Sequence, residues 1–238
     1  MGAAVLIGGA GCWSAWAQKV DPLEPIRRME RRYRAAKTLQ VTFLERYTES
    51  GRTTRVESGV AYFRRPGKMR WEYAAPENNL FLIDGKNAWF YVPADHTVTR
   101  VPAKQSTDWR TPLALLAGET KVSKVCAKIE LAADEKPEGS QGVVFRCRLR
   151  DEGTNGGPKA STKESDQTQD MVLLEVGSDT GELSRIVIRD KGGVGIEFRF
   201  EKWRDDPVVA EALFHFEAPR GVAIVNGELP VERGAGKE

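Results

Sequence analysis

The sequence predicts a mainly β protein with little helix: a single open, half-closed antiparallel β-barrel with helices covering its concave face. Three observations predict it. Apolar residues recur at every second position through long stretches of the chain. Turn-forming sequences, among them Arg65-Pro66-Gly67-Lys68, Asp84-Gly85, Gly177-Ser178-Asp179-Thr180-Gly181 and Gly192-Gly193, separate those runs. Only two short segments, after Asp21 and after Thr111, carry helical spacing. About ten strands in antiparallel succession result, and 238 residues is an ordinary length for one such domain.

The N-terminus reads as an export signal. Ala3 to Gly11 is small and apolar, and Ala15-Trp16-Ala17 has the small-x-small form of a signal-peptidase site, which places cleavage before Gln18. Cys12, after Gly9-Ala10-Gly11, is a second reading of the same stretch, as a lipidation site that would anchor the protein. The expected organisation is a signal peptide over 1–17, one domain over 18–225 and a tail or terminal strand over 226–238. No later segment reaches the roughly 18 apolar residues that a membrane span needs.

Asp21-Pro22-Leu23-Glu24 is expected to start a helix, with Asp21 as cap and Pro22 in the first turn. Leu23, Ile26, Met29, Tyr33 and Leu39 give it one apolar stripe. Arg27, Arg28, Arg31, Arg32 and Arg34 lie on the same helix, either as a solvated face or as a docking surface for an acidic partner or headgroup. The period changes to two at Leu39, Val41 and Phe43, with Gln40, Thr42 and Glu45 assigned to the outside or the rim.

Residues 59–91 organise the rest. Gly59, Ala61, Phe63 and Arg65 share a face of one strand, and Met69, Trp71 and Tyr73 share a face of the next. Asp84-Gly85 joins a second hairpin, Leu80 to Ile83 with Ala88 to Tyr91. Arg65 has two readings. Either its guanidinium finds carbonyls or carboxylates inside an apolar face, acting as a latch, or it reaches past the strand end into water.

Thr111 and Pro112 open a short helix whose apolar face is Leu113, Leu116 and Ala117, a plug for the core or a movable lid. Cys126 and Cys147 lie in two alternating runs that flank a turn-rich segment, so they are either a disulfide across a hairpin or two buried thiols. Residues 151–170 contain no apolar side chain larger than Ala or Pro and read as a flexible surface loop. Ile196, Phe198 and Phe200 then share one strand face, and Phe214 to Val222 closes the core.

Catalytic parts are thin. His96 and His215 sit in dissimilar settings, and no His-x-Glu, Gly-x-Ser-x-Gly, Walker or dinucleotide pattern occurs. The expectation is a protein that is not an enzyme and has no metal or cofactor. Thirty-six basic residues against thirty-four acidic ones leave no field that would draw nucleic acid.

The run Arg64-Arg65-Pro66-Gly67, Met69-Arg70-Trp71-Glu72-Tyr73, Pro76, Asp84-Gly85-Lys86 and Trp89-Phe90-Tyr91 resembles the periplasmic outer-membrane lipoprotein carrier proteins, the LolA family. Thr111 to Ala117 is similar to that family's lid, and Phe214-x-Phe216-x-x-Pro219-x-Gly221-Val222 to the end of its core. The resemblance implies a monomeric periplasmic carrier that binds the acyl chains of lipoproteins in a hydrophobic cavity. It would receive them from an inner-membrane lipoprotein-releasing ABC transporter and pass them to an outer-membrane acceptor. The cavity residues would be Phe43, Phe63, Met69, Trp71, Tyr73, Leu113 and Leu116, with Arg65 bonding carbonyls of the lid over Thr111 to Gly118. Met69 and Leu113 stand where the family often carries aromatics. A carrier of another lipid or glycolipid, an anchored acceptor, and a structural or sensory domain with a packed, ligand-free interior are the competing readings.

Overall fold

A computed structural model describes residues 21–103, 116, 121–149, 171–189 and 193–227. The first element is a helix, α1 (Glu24–Ala35). Its start differs from expectation. Asp21, three residues ahead of the helix, accepts a hydrogen bond from the Leu23 N–H at 3.0 Å, and the proline of the first turn is Pro25. Asp21 therefore closes the turn that leads into α1.

Twelve strands follow among the described residues, two more than expected: β1 (Thr38–Glu49), β2 (Arg52–Arg64), β3 (Lys68–Ala75), β4 (Leu80–Ile83), β5 (Asn87–Val92), β6 (Thr97–Pro102), β7 (Cys126–Leu131), β8 (Gly142–Leu149), β9 (Met171–Gly177), β10 (Leu183–Arg189), β11 (Val194–Asp205) and β12 (Ala223–Asn226). One helical turn, α2 (Val122–Val125), precedes β7 where the alternating pattern predicted strand. The strands form a single open sheet in the order β12-β6-β5-β4-β3-β2-β1-β11-β10-β9-β8-β7, with β12 and β7 at its two edges. The expected lid helix apart from Leu116, the expected 151–170 loop, the expected tail from residue 228 and the expected N-terminal signal lie outside the described residues.

Every neighbouring pair is antiparallel except one: β12 runs parallel to β6. The cause is the path of the chain after β11. Residues 206–222 cross the face of the sheet that carries Arg64, Arg70, Trp89 and Tyr91, and this crossover lets the chain return in the direction of β6. The Arg64 and Arg70 guanidinium groups donate to the Val209 and Leu213 carbonyls at 3.0 and 3.1 Å. Phe216 stacks on Trp89 with ring centroids 5.1 Å apart. Leu82 and Val98 on that outer face are buried, and β12 carries the chain to Asn226.

The other face is the main core. Alternation aims Val41 and Phe43 of β1, Ala61 and Phe63 of β2, Met69 and Trp71 of β3, Phe145 and Cys147 of β8, and Phe198 and Phe200 of β11 at one contiguous apolar cluster. Ile26, Met29 and Tyr33 of α1 cover it. A disulfide joins Cys126 to Cys147 across the β7–β8 hairpin, with Cα atoms 5.3 Å apart. Glu175 of β9, on the outer face, is fully buried; it accepts from the Glu138 and Gly139 N–H groups and from Arg185 at 2.9–3.0 Å.

Candidate site: the covered inner wall of the sheet

Trp71 is the centre of the wall. β3 lies between β2 and β4, which sets Trp71 beside Ala61 and Phe81. The small side chain at 61 leaves room for the indole, and Phe43, Phe198, Phe63 and Phe200 surround it at centroid distances of 4.8, 5.6, 5.8 and 6.4 Å. All four meet it edge to face, the arrangement that ring quadrupoles favour. Gly59 provides the second gap: a Cβ there would stand 1.9 Å from the Glu72 carbonyl oxygen and 3.0 Å from the Phe43 ring. Phe43, whose cross-strand partner is Gly59, packs its ring against Tyr73 at 5.1 Å.

Of the expected cavity residues, Phe43, Phe63, Met69, Trp71, Tyr73 and Leu116 are all buried, and the first five share this wall. Leu113 lies outside the described residues. Phe198 and Phe200 complete the wall from β11; their alternation was legible in the sequence, but nothing local shows that β11 pairs with β1.

The wall has a polar end. Glu45, expected outside or at the rim, is 2% exposed and points inward with Val41 and Phe43. Parity decides the face of a strand, and position 45 has the parity of 41 and 43. Its carboxylate accepts from the Tyr73 hydroxyl at 2.9 Å. The residue opposite on β2 is Glu57, 5% exposed and ion-paired with Arg55 at 3.1 Å. Two acids facing each other across a ladder repel, and the Tyr73 hydroxyl and the Arg55 guanidinium offset that repulsion.

At the far end stands Arg65. It is half-buried, and its Nε donates to the Ala36 carbonyl at 2.8 Å while Nη2 donates to the Tyr33 carbonyl. Both acceptors belong to the C-terminus of α1, where unpaired carbonyls and the negative end of the helix dipole favour a cation. Arg65 therefore turns inward to carbonyls. Those described are on the covering helix, whereas residues 111–115, 117 and 118 of the lid lie outside the described residues. A cleft of about 550 Å³ opens beside it, lined by Lys37, Arg64, Arg65, Asp206 and Val208 among others.

The arginines of α1 are engaged by neighbouring groups. Arg31 and Arg28 bind Glu24 at 2.7 and 3.4 Å, and Arg27 pairs with Asp21. Arg32 bridges Glu182 and Asp205 at 3.0 and 3.1 Å. The Tyr33 hydroxyl accepts from the Leu183 N–H at 2.8 Å, and burial pushes it up from its ordinary ionisation range. Arg32 and Tyr33 therefore fasten the cover to the sheet. Among the described residues no group of three or more His, Cys, Asp or Glu could hold a metal ion, and no helix is long and apolar enough to cross a membrane.

The sequence profile of the outer membrane lipoprotein carrier protein LolA matches residues 34–217. The chain belongs to this family. The outer-membrane lipoprotein carrier protein of Chromobacterium violaceum is 30% identical over 193 residues, 81% of this chain and 83% of that protein. Its namesake in Nitrosomonas europaea is 29% identical over 194 residues, covering 80% and 83%. An uncharacterised conserved protein of Thermus thermophilus has a similar fold, with a TM-score of 0.52 at 16% identity over 86% of this chain and 98% of that one. Within the family's matched region fall the whole aromatic wall, Arg65, and the buried acids Glu45 and Glu57.

Proposed function

We propose that this member of the family is a periplasmic lipoprotein carrier that takes up acyl chains against the wall centred on Trp71. The observation that carries the reading is a continuous aromatic wall covered by a helix whose C-terminal carbonyls accept from Arg65. As it stands the wall is closed, since Phe43, Phe63, Met69, Trp71 and Tyr73 are all buried. Loading therefore requires the cover to part from the sheet.

Magnitudes favour a reversible device. A hydrogen bond from a charged donor contributes about 1.5–3 kcal/mol, and each buried methylene about 0.8 kcal/mol. Breaking the two described Arg65 bonds is then offset by roughly six methylenes of one chain. An ordinary acyl chain has more methylenes than this, and the surplus offsets part of the Arg32 and Tyr33 ties between α1 and the sheet. The same free energy is recovered when the chain leaves, which keeps the loaded state only moderately stable and lets an acceptor take the cargo. The donor is an inner-membrane lipoprotein-releasing ABC transporter and the acceptor an outer-membrane protein.

Arg65→Leu tests the mechanism. The variant is expected to bind an acylated lipoprotein at least as tightly as the native protein and to release it poorly to outer membranes. Arg65→Lys keeps the charge but loses the planar fork and should be intermediate. Normal transfer by Arg65→Leu with an unchanged melting temperature would remove the latch from the mechanism. Export with cleavage after Ala17 is checked by the mass of the mature chain; a diacylated Cys12 at its N-terminus would make the protein an anchored acceptor.

A further inference from the structure

The wall that would receive acyl chains contains a buried donor with nothing to bond among the described residues. Trp71 has 0% of its surface exposed, and its indole Nε1 has no hydrogen-bond acceptor among them. The other two indoles of the described residues are satisfied: Trp89 Nε1 donates to Asp84 at 2.8 Å, and Trp203 Nε1 donates to the Leu183 carbonyl at 2.8 Å. Tyr73, the next inward residue on β3, has its hydroxyl engaged with Glu45. Aromatic faces surround Trp71, and these accept an N–H far more weakly than an oxygen does. A buried donor left unpaired is costly, and most native structures avoid it.

A saturated chain cannot accept from this donor. An acyl carbonyl can. We infer that Trp71 is the polar anchor of the site: its indole N–H donates to the carbonyl oxygen of an ester or amide where a chain joins the head of the cargo. The inference rests on the carrier reading and sharpens it. The cargo is seated by its acyl linkage as well as by its methylenes, so the wall distinguishes acylated molecules from plain alkyl ones. The indole also fixes depth, because a carbonyl at the centre of the wall leaves the remaining chain to spread over Phe63, Phe198 and Phe200. Phe in place of Trp71 keeps an aromatic ring and removes only the donor and part of the ring volume.

The test compares dimyristoylglycerol with its dialkyl ether counterpart of equal chain length, both offered to the mature protein. Binding is read by displacement of a fluorescent fatty-chain probe. The native protein is expected to bind the ester about tenfold more tightly than the ether, a difference typical of one hydrogen bond in a dry site, and W71F to bind the two equally. In the native protein the Trp71 indole proton resonance, identified by its contacts to the Phe43 and Phe198 rings, should move downfield with the ester and stay in place with the ether, a readout that does not depend on the stability of the variant. A native protein that binds both lipids without preference, or a W71F that keeps the preference, overturns the anchor and leaves the carrier reading standing. A native protein that binds neither lipid overturns both.

Discussion

At the scale of single residues, carboxylates in this fold are held by donors placed by the turns and strands around them. Asp84 shows this in a hairpin loop. Burial alone would push its carboxyl up, but N–H groups of Asn87, Trp89 and Lys86 outweigh that and hold it below its ordinary value of 3.8. A group depressed in the folded state stabilises the fold above its unfolded value and loses that contribution as acid protonates it. Asp84→Ala is therefore expected to lower the melting temperature by a constant amount above about pH 5, with the gap narrowing as the pH falls below about 4. Thermal melts of both proteins across that range check it; a gap that widens in acid would show that Asp84 is not the stabilising anion. The Asp-Gly turn itself was legible because the dipeptide specifies a turn locally. Glu45 points inward as its parity with Val41 and Phe43 requires, and its Tyr73 partner makes the burial tolerable.

At the scale of elements, α1 is seated by backbone as much as by its apolar stripe. Gly181, with φ +65°, lies against the Arg28–Met29 peptide, and a Cβ there would come within 2.6 Å of backbone atoms. Gly181→Ala should cost on the order of 2 kcal/mol or more, combining a strained backbone with a clash that only movement of the helix relieves. Trp203, whose ring lies 5.0 Å from Tyr33 of α1, would report that movement as a changed fluorescence spectrum. An unchanged spectrum and melting temperature would mean that α1 does not press on the 177–183 turn. The helix and most strands were legible from periodicity, since each period of 3.6 or 2 is imposed by the face that packs. The position of the α1 cap was not, because Asp, Pro and Glu suit the turn before a helix as well as its first turn.

For the whole molecule, what sequence could not supply was pairing between distant segments. The alternation of β11 was visible, yet its place beside β1 is set by the fit of Phe198 and Phe200 around Trp71, which no local signal carries. The outer strap was equally hidden: Arg64 and Arg70 look like solvated strand residues until residues 206–222 run over them. The disulfide was open to two readings because cysteine spacing does not fix register. Replacing both Cys126 and Cys147 by Ser removes a cross-link of separation 21 and should cost on the order of 3 kcal/mol. Urea unfolding should show the native protein losing the same amount on reduction and the double variant losing none; a native midpoint insensitive to reductant would contradict this.

The placement of β1 also governs the order in which the molecule can be completed. Its two neighbours are β2, which follows at once, and β11, which ends at Asp205. As the chain is made from its N-terminus, one long edge of Thr38–Glu49 stays unpaired until nearly the whole sequence exists. An open strand edge flanked by Val41 and Phe43 is a template for wrong partners. The nascent protein is therefore most vulnerable to aggregation for the longest part of its synthesis, and any helper that shields it must act before residues 194–205 arrive.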